Sequence, residues 1–194
     1  MTNAGIAFTL VSPTRCLGSN EDEASRDAMY SIDKLEIVEK TPTDGNEIRV
    51  GTEITDPNVE EDRPAEIVLS VQNTSDKRVD VGAQPPHPFG ILRMEQSDGG
   101  EDEFVYLWTE RYEKSGHITT DTDNRTAAVH NDVGLSYRLS PGDMIEKTYQ
   151  LHSDTPHLQA GMYELPIRVD AFDSTGSLTE YDFLALVSIS EGRE

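Results

Sequence analysis

Five histidines, at positions 87, 117, 130, 152 and 157, are the first residues whose chemistry could define a site. A zinc or copper centre needs two ligands closely spaced on a rigid element and a third nearby. "HSDTPH" offers only His152 and His157, across a proline turn. With Met162 it suggests a blue-copper loop, but that centre needs a cysteine ligand, and the one cysteine, Cys16, lies far upstream. The histidines therefore read as solvated loop residues. "DTDNRT" begins as a calcium loop does, with Asp121 and Asp123 two apart. Its fifth position is Arg125, which offers no oxygen, and no glycine follows, so the EF-hand pattern fails. A looser calcium site at Asp121 and Asp123 stays open beside the plainer reading of an acidic loop. A hydrolase serine would need a sharp Gly-x-Ser-x-Gly elbow, and a nucleotide enzyme a glycine-rich phosphate loop; the chain has neither. His152, Ser153 and Asp154 are neighbours in sequence, which says nothing of triad geometry. The expectation is a protein without catalytic residues, metal or cofactor.

Charge bounds the partners. Asp and Glu total 37 against 16 Lys and Arg, a formal net charge of −21, and the isoelectric point is about 4.4. Only 5 of the basic residues are lysine. Such a chain repels nucleic acid and anionic membrane surfaces. Acidity on this scale also fits a disordered, solvating chain, but only residues 18–28 suit that reading, because apolar residues recur in patterned runs from residue 30 onward. A patterned core under an acidic, lysine-poor surface points to a halophilic source, chiefly a haloarchaeon. Molar salt shortens the Debye length to about 3 Å and screens the carboxylate repulsion.

A single cysteine excludes an internal disulfide and a cysteine metal cluster. "CLGSNEDE" resembles the start of a mature lipoprotein, in which a lipidated cysteine precedes a polar tether. The stretch before it only half agrees: "AGIAFTLVSPT" could end an apolar signal core, but no basic region precedes it and Arg15 stands where a small residue belongs. An incidental thiol in a cytoplasmic protein is the alternative. No other apolar run reaches the roughly 18 residues of a membrane helix, so membrane attachment is expected only through Cys16. Two Asn-x-Ser/Thr acceptors, at Asn73 and Asn124, lean toward an outside location.

These residues must be carried by strands. "AEIVLSVQN" sets Ala65, Ile67, Leu69 and Val71 on one face, the period of a half-buried strand. "KLEIVEK" and "NEIRVGTEI" about "TPTDG" predict a hairpin. "FGILRME" and "EFVYLWTE" predict strands flanking the loop "QSDGGED". Residues 114–133 predict a long loop with one short strand. "LSYRLSPGDMIEKTYQLH" gives two strands about a tight Pro-Gly turn. "GMYELPIRVDAF" and "LTEYDFLALVSIS" form a hairpin about "DSTG", the last strand apolar on both faces and so central. No segment carries a long helical period. Eight or nine short strands argue an all-β sandwich, with an up-and-down barrel as the competing architecture.

"IVLSVQNTSDKRVDV", "YRLSPGDMIEKTYQL" and "LQAGMYEL" resemble the series found in immunoglobulin-like domains of prokaryotic surface proteins, including the family named for a bacterial intracellular proteinase inhibitor. The matching positions are Val71 and Asn73, Pro141 and Gly142, and Gly161 with Tyr163, over roughly residues 65–190. The resemblance implies an immunoglobulin-like antiparallel β-sandwich with Tyr163 packing at a sheet corner, and leaves protease inhibition as one possible activity. The chain departs from it by a long insertion about 84–135.

The organisation expected is a signal remnant and disordered acidic tether over 1–29 and a sandwich over 30–194. Trp108, the one tryptophan, fits the core, as tryptophan often does in immunoglobulin-like folds. The alternative is a recognition surface built from the 84–92 and 110–131 loops, with Phe89, Trp108 and Tyr112 as binding residues. The function expected is a non-catalytic binding or structural module of a halophile's cell envelope, acting on an unidentified protein or envelope partner. A protease inhibitor, intracellular or secreted, is the alternative.

Overall fold

The computed structural model describes residues 28–41, 47–97, 103–130 and 135–192. The expectations placed on Cys16 and on the tether through residue 27 lie outside the described residues. The strands are β1 (Tyr30–Thr41), β2 (Ile48–Asp56), β3 (Asn58–Val59), β4 (Ala65–Asn73), β5 (Val79–Ala83), β6 (Arg93–Gln96), β7 (Phe104–Tyr106), β8 (Ile118–Asp121), β9 (Thr126–Val129), β10 (Leu135–Leu139), β11 (Met144–Leu151), β12 (Gly161–Phe172) and β13 (Leu178–Glu191), with one short helix, α1 (Glu110–Lys114), between β7 and β8.

The alternation in β4 buries Ala65, Ile67, Leu69 and Val71 as its period of two requires. β4 lies between β11 and β2 in a three-stranded sheet. The larger sheet runs β10-β5-β12-β13-β1-β3, with β6 added to β12 and β7 to β6. Tyr163, Leu165, Ile167, Val169 and Ala171 of β12 and the alternate residues of β13 from Tyr181 to Ile189 join the buried face of β4 in one apolar cluster. The fold is thus an all-β, immunoglobulin-like antiparallel sandwich. β13 sits between β12 and β1, as its two-faced apolarity requires. The β12–β13 hairpin turns about Asp173, whose Oδ1 accepts the N–H groups of Thr175 and Ser177 at 2.8 and 2.9 Å.

The hairpin predicted about "TPTDG" is instead a crossing between sheets, and so is the pair of strands about the Pro-Gly turn. β1 pairs with β13, Leu35 opposite Val187, while β2 pairs with β4, Val50 opposite Val71. β10 pairs with β5 and β11 with β4, so the "SPGD" turn carries the chain from one layer to the other. Gly142 supplies the left-handed backbone there, at φ 84°. Local turn chemistry marks a reversal of the chain and is silent about which strand receives it.

The insertion is also more ordered than its sequence suggests. Residues 103–110 form a strand only as far as Tyr106 and then enter α1, and the stretch read as a long loop with one short strand holds two, β8 and β9, paired as a hairpin. A five-residue helix is too short to display a 3.6-residue period. α1 buries only Tyr112.

Tyr163 behaves as the resemblance implies. Its hydroxyl donates to the carbonyl of Gln159 at 2.8 Å and accepts the Gln159 N–H at 3.0 Å, while its ring is fully buried. This is the tyrosine corner of immunoglobulin-like sandwiches. Tyr163→Phe is expected to cost about 1–2 kcal/mol and to lower Tm by roughly 3–6 °C; a calorimetric scan at fixed salt checks it.

Candidate functional site

The aromatic residues that the alternative reading assigns to a binding surface are core residues. Phe89 is 4 %, Trp108 2 % and Tyr112 0 % exposed. Trp108 meets Tyr112 edge-on at 5.5 Å, Phe89 meets Tyr149 at 6.5 Å, and the Tyr112 hydroxyl accepts the Leu92 N–H at 3.0 Å. Trp108 is the core residue expected, and the alternative, a recognition surface carried by Phe89, Trp108 and Tyr112, is corrected: each ring gains more from apolar burial than a loop position would give it. Residues 85–90 are buried throughout.

Asn73 is corrected as well. It is fully buried, and its Nδ2 donates to the carbonyls of Lys77 at 2.7 Å and Leu139 at 3.1 Å, so the folded chain does not present that amide as a glycan acceptor. Asn124 is exposed in the β8–β9 turn, its Nδ2 on Asp121 Oδ2 at 2.7 Å. Asp121 Oδ1 accepts the N–H groups of Asp123 and Asn124 at 3.1 and 3.2 Å, and the Asn124 side-chain bond first, then these, hold its carboxyl below the usual range. The acidic signature of "DTDN" is thereby turn chemistry. Among the described residues no three His, Cys, Asp or Glu side chains come together as a cation site.

His87 is 5 % exposed and both its ring nitrogens lack a partner, with Tyr137 edge-on at 6.0 Å. His152 Nε2 is buried and unpartnered too. These two side chains correct the reading of the histidines as solvated. Burial lowers the pKa of both, and Arg125 lowers that of His152 further while Asp154 opposes it. A histidine whose folded pKa is depressed contributes stability that is present above its unfolded value and lost as pH falls. Stability is therefore expected to decline as pH drops below about 6.5, the ordinary histidine value, and the decline to be shallower in His87→Phe. Urea titrations between pH 7.5 and 5 measure it; an unchanged slope in the variant would exclude His87 as a contributor.

The arrangement with unused chemistry lies at the edge of the smaller sheet. β11 pairs with β4 on one side. On the other, Gln150 exchanges both backbone hydrogen bonds with Trp108, each at 2.7 Å. In an antiparallel strand the residues whose N–H and C=O point the same way recur every second position. Thr148 and Glu146 accordingly direct their backbone groups away from β4, on the side Trp108 occupies at Gln150. No described strand follows them, because Thr109 is the N-cap of α1 and the chain turns into the helix there. Between α1 and this edge lies a groove of about 700 Å³ lined by Arg111, Lys114, Lys147, Glu66, Glu146 and Gln150.

The charges of the groove are only partly matched. Lys114 pairs with Glu110, and Gln150 Nε2 donates to Glu66 Oε1 at 3.0 Å. Arg111 and Lys147 form no ion pair with any described carboxylate. Lys147 stands opposite the buried Leu69, on the core-facing side of β11, with its Nζ 5.8 Å from the centre of the Tyr137 ring. Burial first, and then the field of Arg111, hold its ammonium below the usual lysine range, against the opposing effect of Tyr137. A second cavity, of about 400 Å³, lies between residues 84–92 and the outer face of β12 and β13. Arg168 pairs with its Glu180 at 2.6 Å and lies 3.7 Å from Asp170 Oδ1, a buried atom without a hydrogen-bond partner.

Comparison with known proteins places the chain in a family and adds little to this geometry. A family described as "Domain of unknown function (DUF8130)" matches residues 14–183, and the chain belongs to it. No curated protein matches. Among solved structures, one described as the X-ray structure of Northeast Structural Genomics Consortium target SoR45 is similar over 76 % of this chain and 85 % of its own, at 11 % identity and a TM-score of 0.33.

Proposed function

We propose that this DUF8130 member is a non-catalytic binding module of the cell envelope of a halophilic archaeon, held outside the membrane through Cys16. The observation that carries the binding role is the groove between α1 and β11. In a chain of net charge −21, two cations that line this groove, Arg111 and Lys147, have no carboxylate partner among the described residues and leave an interaction for something else to complete. A buried or half-buried cation without a counter-ion costs stability that a ligand's charge returns. The alternative of a protease inhibitor would need an exposed, extended loop for an enzyme cleft, and the proline-rich segment best suited to that, 85–90, is buried. The envelope part of the reading rests on the lipoprotein-like stretch at Cys16, the exposed acceptor at Asn124 and the acidic, lysine-poor composition.

Intact mass spectrometry of the protein from membrane and soluble fractions of its native cells tests this. The expected species begins at Cys16, carries added lipid mass, and bears any glycan on Asn124 and none on Asn73. A soluble species retaining residues 1–15 would overturn the envelope assignment.

A further inference from the structure

From the open edge of β11 and the unmatched cations beside it, we infer that the groove takes an extended peptide segment as an added antiparallel strand, with an acidic side chain of that segment between Arg111 and Lys147. This deepens the binding-module reading and rests on it. The chain itself supplies the precedent: Trp108 makes one antiparallel bridge on this edge, at Gln150. Had residues 109 and 110 continued in the same direction they would have met Tyr149 and Thr148, but the chain turns into α1, and no described strand pairs with the outward backbone groups of Thr148 and Glu146. A partner strand would run where this chain does not. The stretch Met144–Thr148 spans about 17 Å at the usual strand rise, room for about five residues. Addition of a strand to an exposed edge draws its affinity from main-chain hydrogen bonds and its selectivity from alternate side chains.

The selectivity follows from the register. Lys147 projects to the core-facing side of β11, and Glu146 and Thr148 to the opposite side. Arg111, on α1, lines the groove together with Lys147. Alternate side chains of the added strand therefore meet the Arg111 and Lys147 pair, and an aspartate or glutamate there forms charge-assisted hydrogen bonds. The groove also carries carboxylates: Glu110 pairs with Lys114, Glu66 takes a hydrogen bond from Gln150, and Glu146 lines it from the side of β11 opposite to Lys147.

The test uses the full chain and a blocked heptapeptide of alternating threonine and valine with one central aspartate, labelled for fluorescence anisotropy, beside the same peptide with asparagine at the centre. The aspartate peptide is expected to bind about tenfold or more tightly than the asparagine peptide, and to slow hydrogen exchange at the Thr148 and Glu146 amides. Thr148→Pro removes one outward N–H while leaving the bonds to β4 intact, and proline is tolerated at such edge positions; it is expected to abolish binding with the fold preserved by circular dichroism. Arg111→Gln with Lys147→Gln is expected to erase the preference for aspartate, and it serves as the second variant should Thr148→Pro misfold. Equal binding of the two peptides, full binding by folded Thr148→Pro, or no binding at millimolar peptide would each overturn the inference. Cross-linking in native envelope preparations separates that failure from failure of the binding-module reading. A partner held equally by wild type and both variants would sink the strand-addition site alone, whereas no partner held by any form would sink both.

Discussion

Trp108→Ala is expected to destabilise the domain by about 3–5 kcal/mol, the usual cost of deleting a large buried aromatic. Against a total stability of about 5–15 kcal/mol this is a substantial part of what keeps the chain folded. The magnitude follows from what the indole touches. It is 2 % exposed, lies edge-on to Tyr112 at 5.5 Å, donates from Nε1 to Glu113 at 3.2 Å and has the Arg125 guanidinium 5.5 Å from its ring. Tyr112 and Glu113 belong to α1, Arg125 to the β8–β9 turn, and the Trp108 backbone to the edge of β11. One side chain thus fastens the helix and the second hairpin to the sandwich, and alanine leaves a cavity where they meet. Trp108→Phe keeps most of the apolar volume and should cost less than half as much. Urea denaturation at fixed salt reads both through the midpoint, with the slope unchanged if the denatured state is unaffected. A recognition residue on the surface would change stability by no more than about 0.5 kcal/mol, so a loss that small would return Trp108 to a binding role.

The same residue shows where the sequence is legible and where it is not. Period-two alternation places the buried face of β4 residue by residue, because a strand with one face in a core has no other register open to it. The turn at Gly142, the hairpin about Asp173 and the corner at Tyr163 are equally readable, since each depends on chemistry within a few residues. Three things are settled by distant contacts instead. β1 and β2 look like a hairpin but join different sheets, because the turn between them cannot specify whether Leu35 will find Val50 or Val187. Phe89 and Tyr112 sit in stretches with loop-like composition, yet they pack beneath the sandwich edge through partners sixty and twenty residues away, Tyr149 and Leu92. The cations of the groove come from separate elements. Lys147 alone left a local trace: in "MIEKTYQL" it occupies the inward position between Ile145 and Tyr149, where a lysine breaks the apolar alternation.

Asn73→Ala is expected to cost about 3 kcal/mol, although the side chain removed is small. Asn73 ends β4 and ties three segments together. Its Nδ2 donates to the carbonyls of Lys77 and Leu139, its Oδ1 accepts the N–H and hydroxyl of Ser75 at 3.0 and 2.8 Å, and its backbone exchanges hydrogen bonds with Asp143 and Gly142 at 3.0 and 2.9 Å. Alanine keeps the backbone bonds but strands the Leu139 carbonyl in a site that water does not reach. An unsatisfied buried group of this kind costs about 1–3 kcal/mol, and the groups freed at Lys77 and Ser75, nearer solvent, cost less. Asn73→Asp separates this account from simple loss of volume. The change preserves shape and the acceptor for Ser75, but it turns the donor facing two carbonyls into a second acceptor and buries a charge. The new carboxyl must then be held above the usual carboxylate range. A group whose folded pKa is raised contributes stability at low pH that is lost as pH rises through the folded value. The Asn73→Asp variant should therefore approach wild-type stability near pH 4 and fall furthest below it near pH 7, whereas the deficit of Asn73→Ala should not vary with pH. Parallel denaturation curves for the two variants across that range are the measurement. A pH-independent deficit in Asn73→Asp would mean that the Leu139 and Lys77 carbonyls are not what the asparagine is there to satisfy.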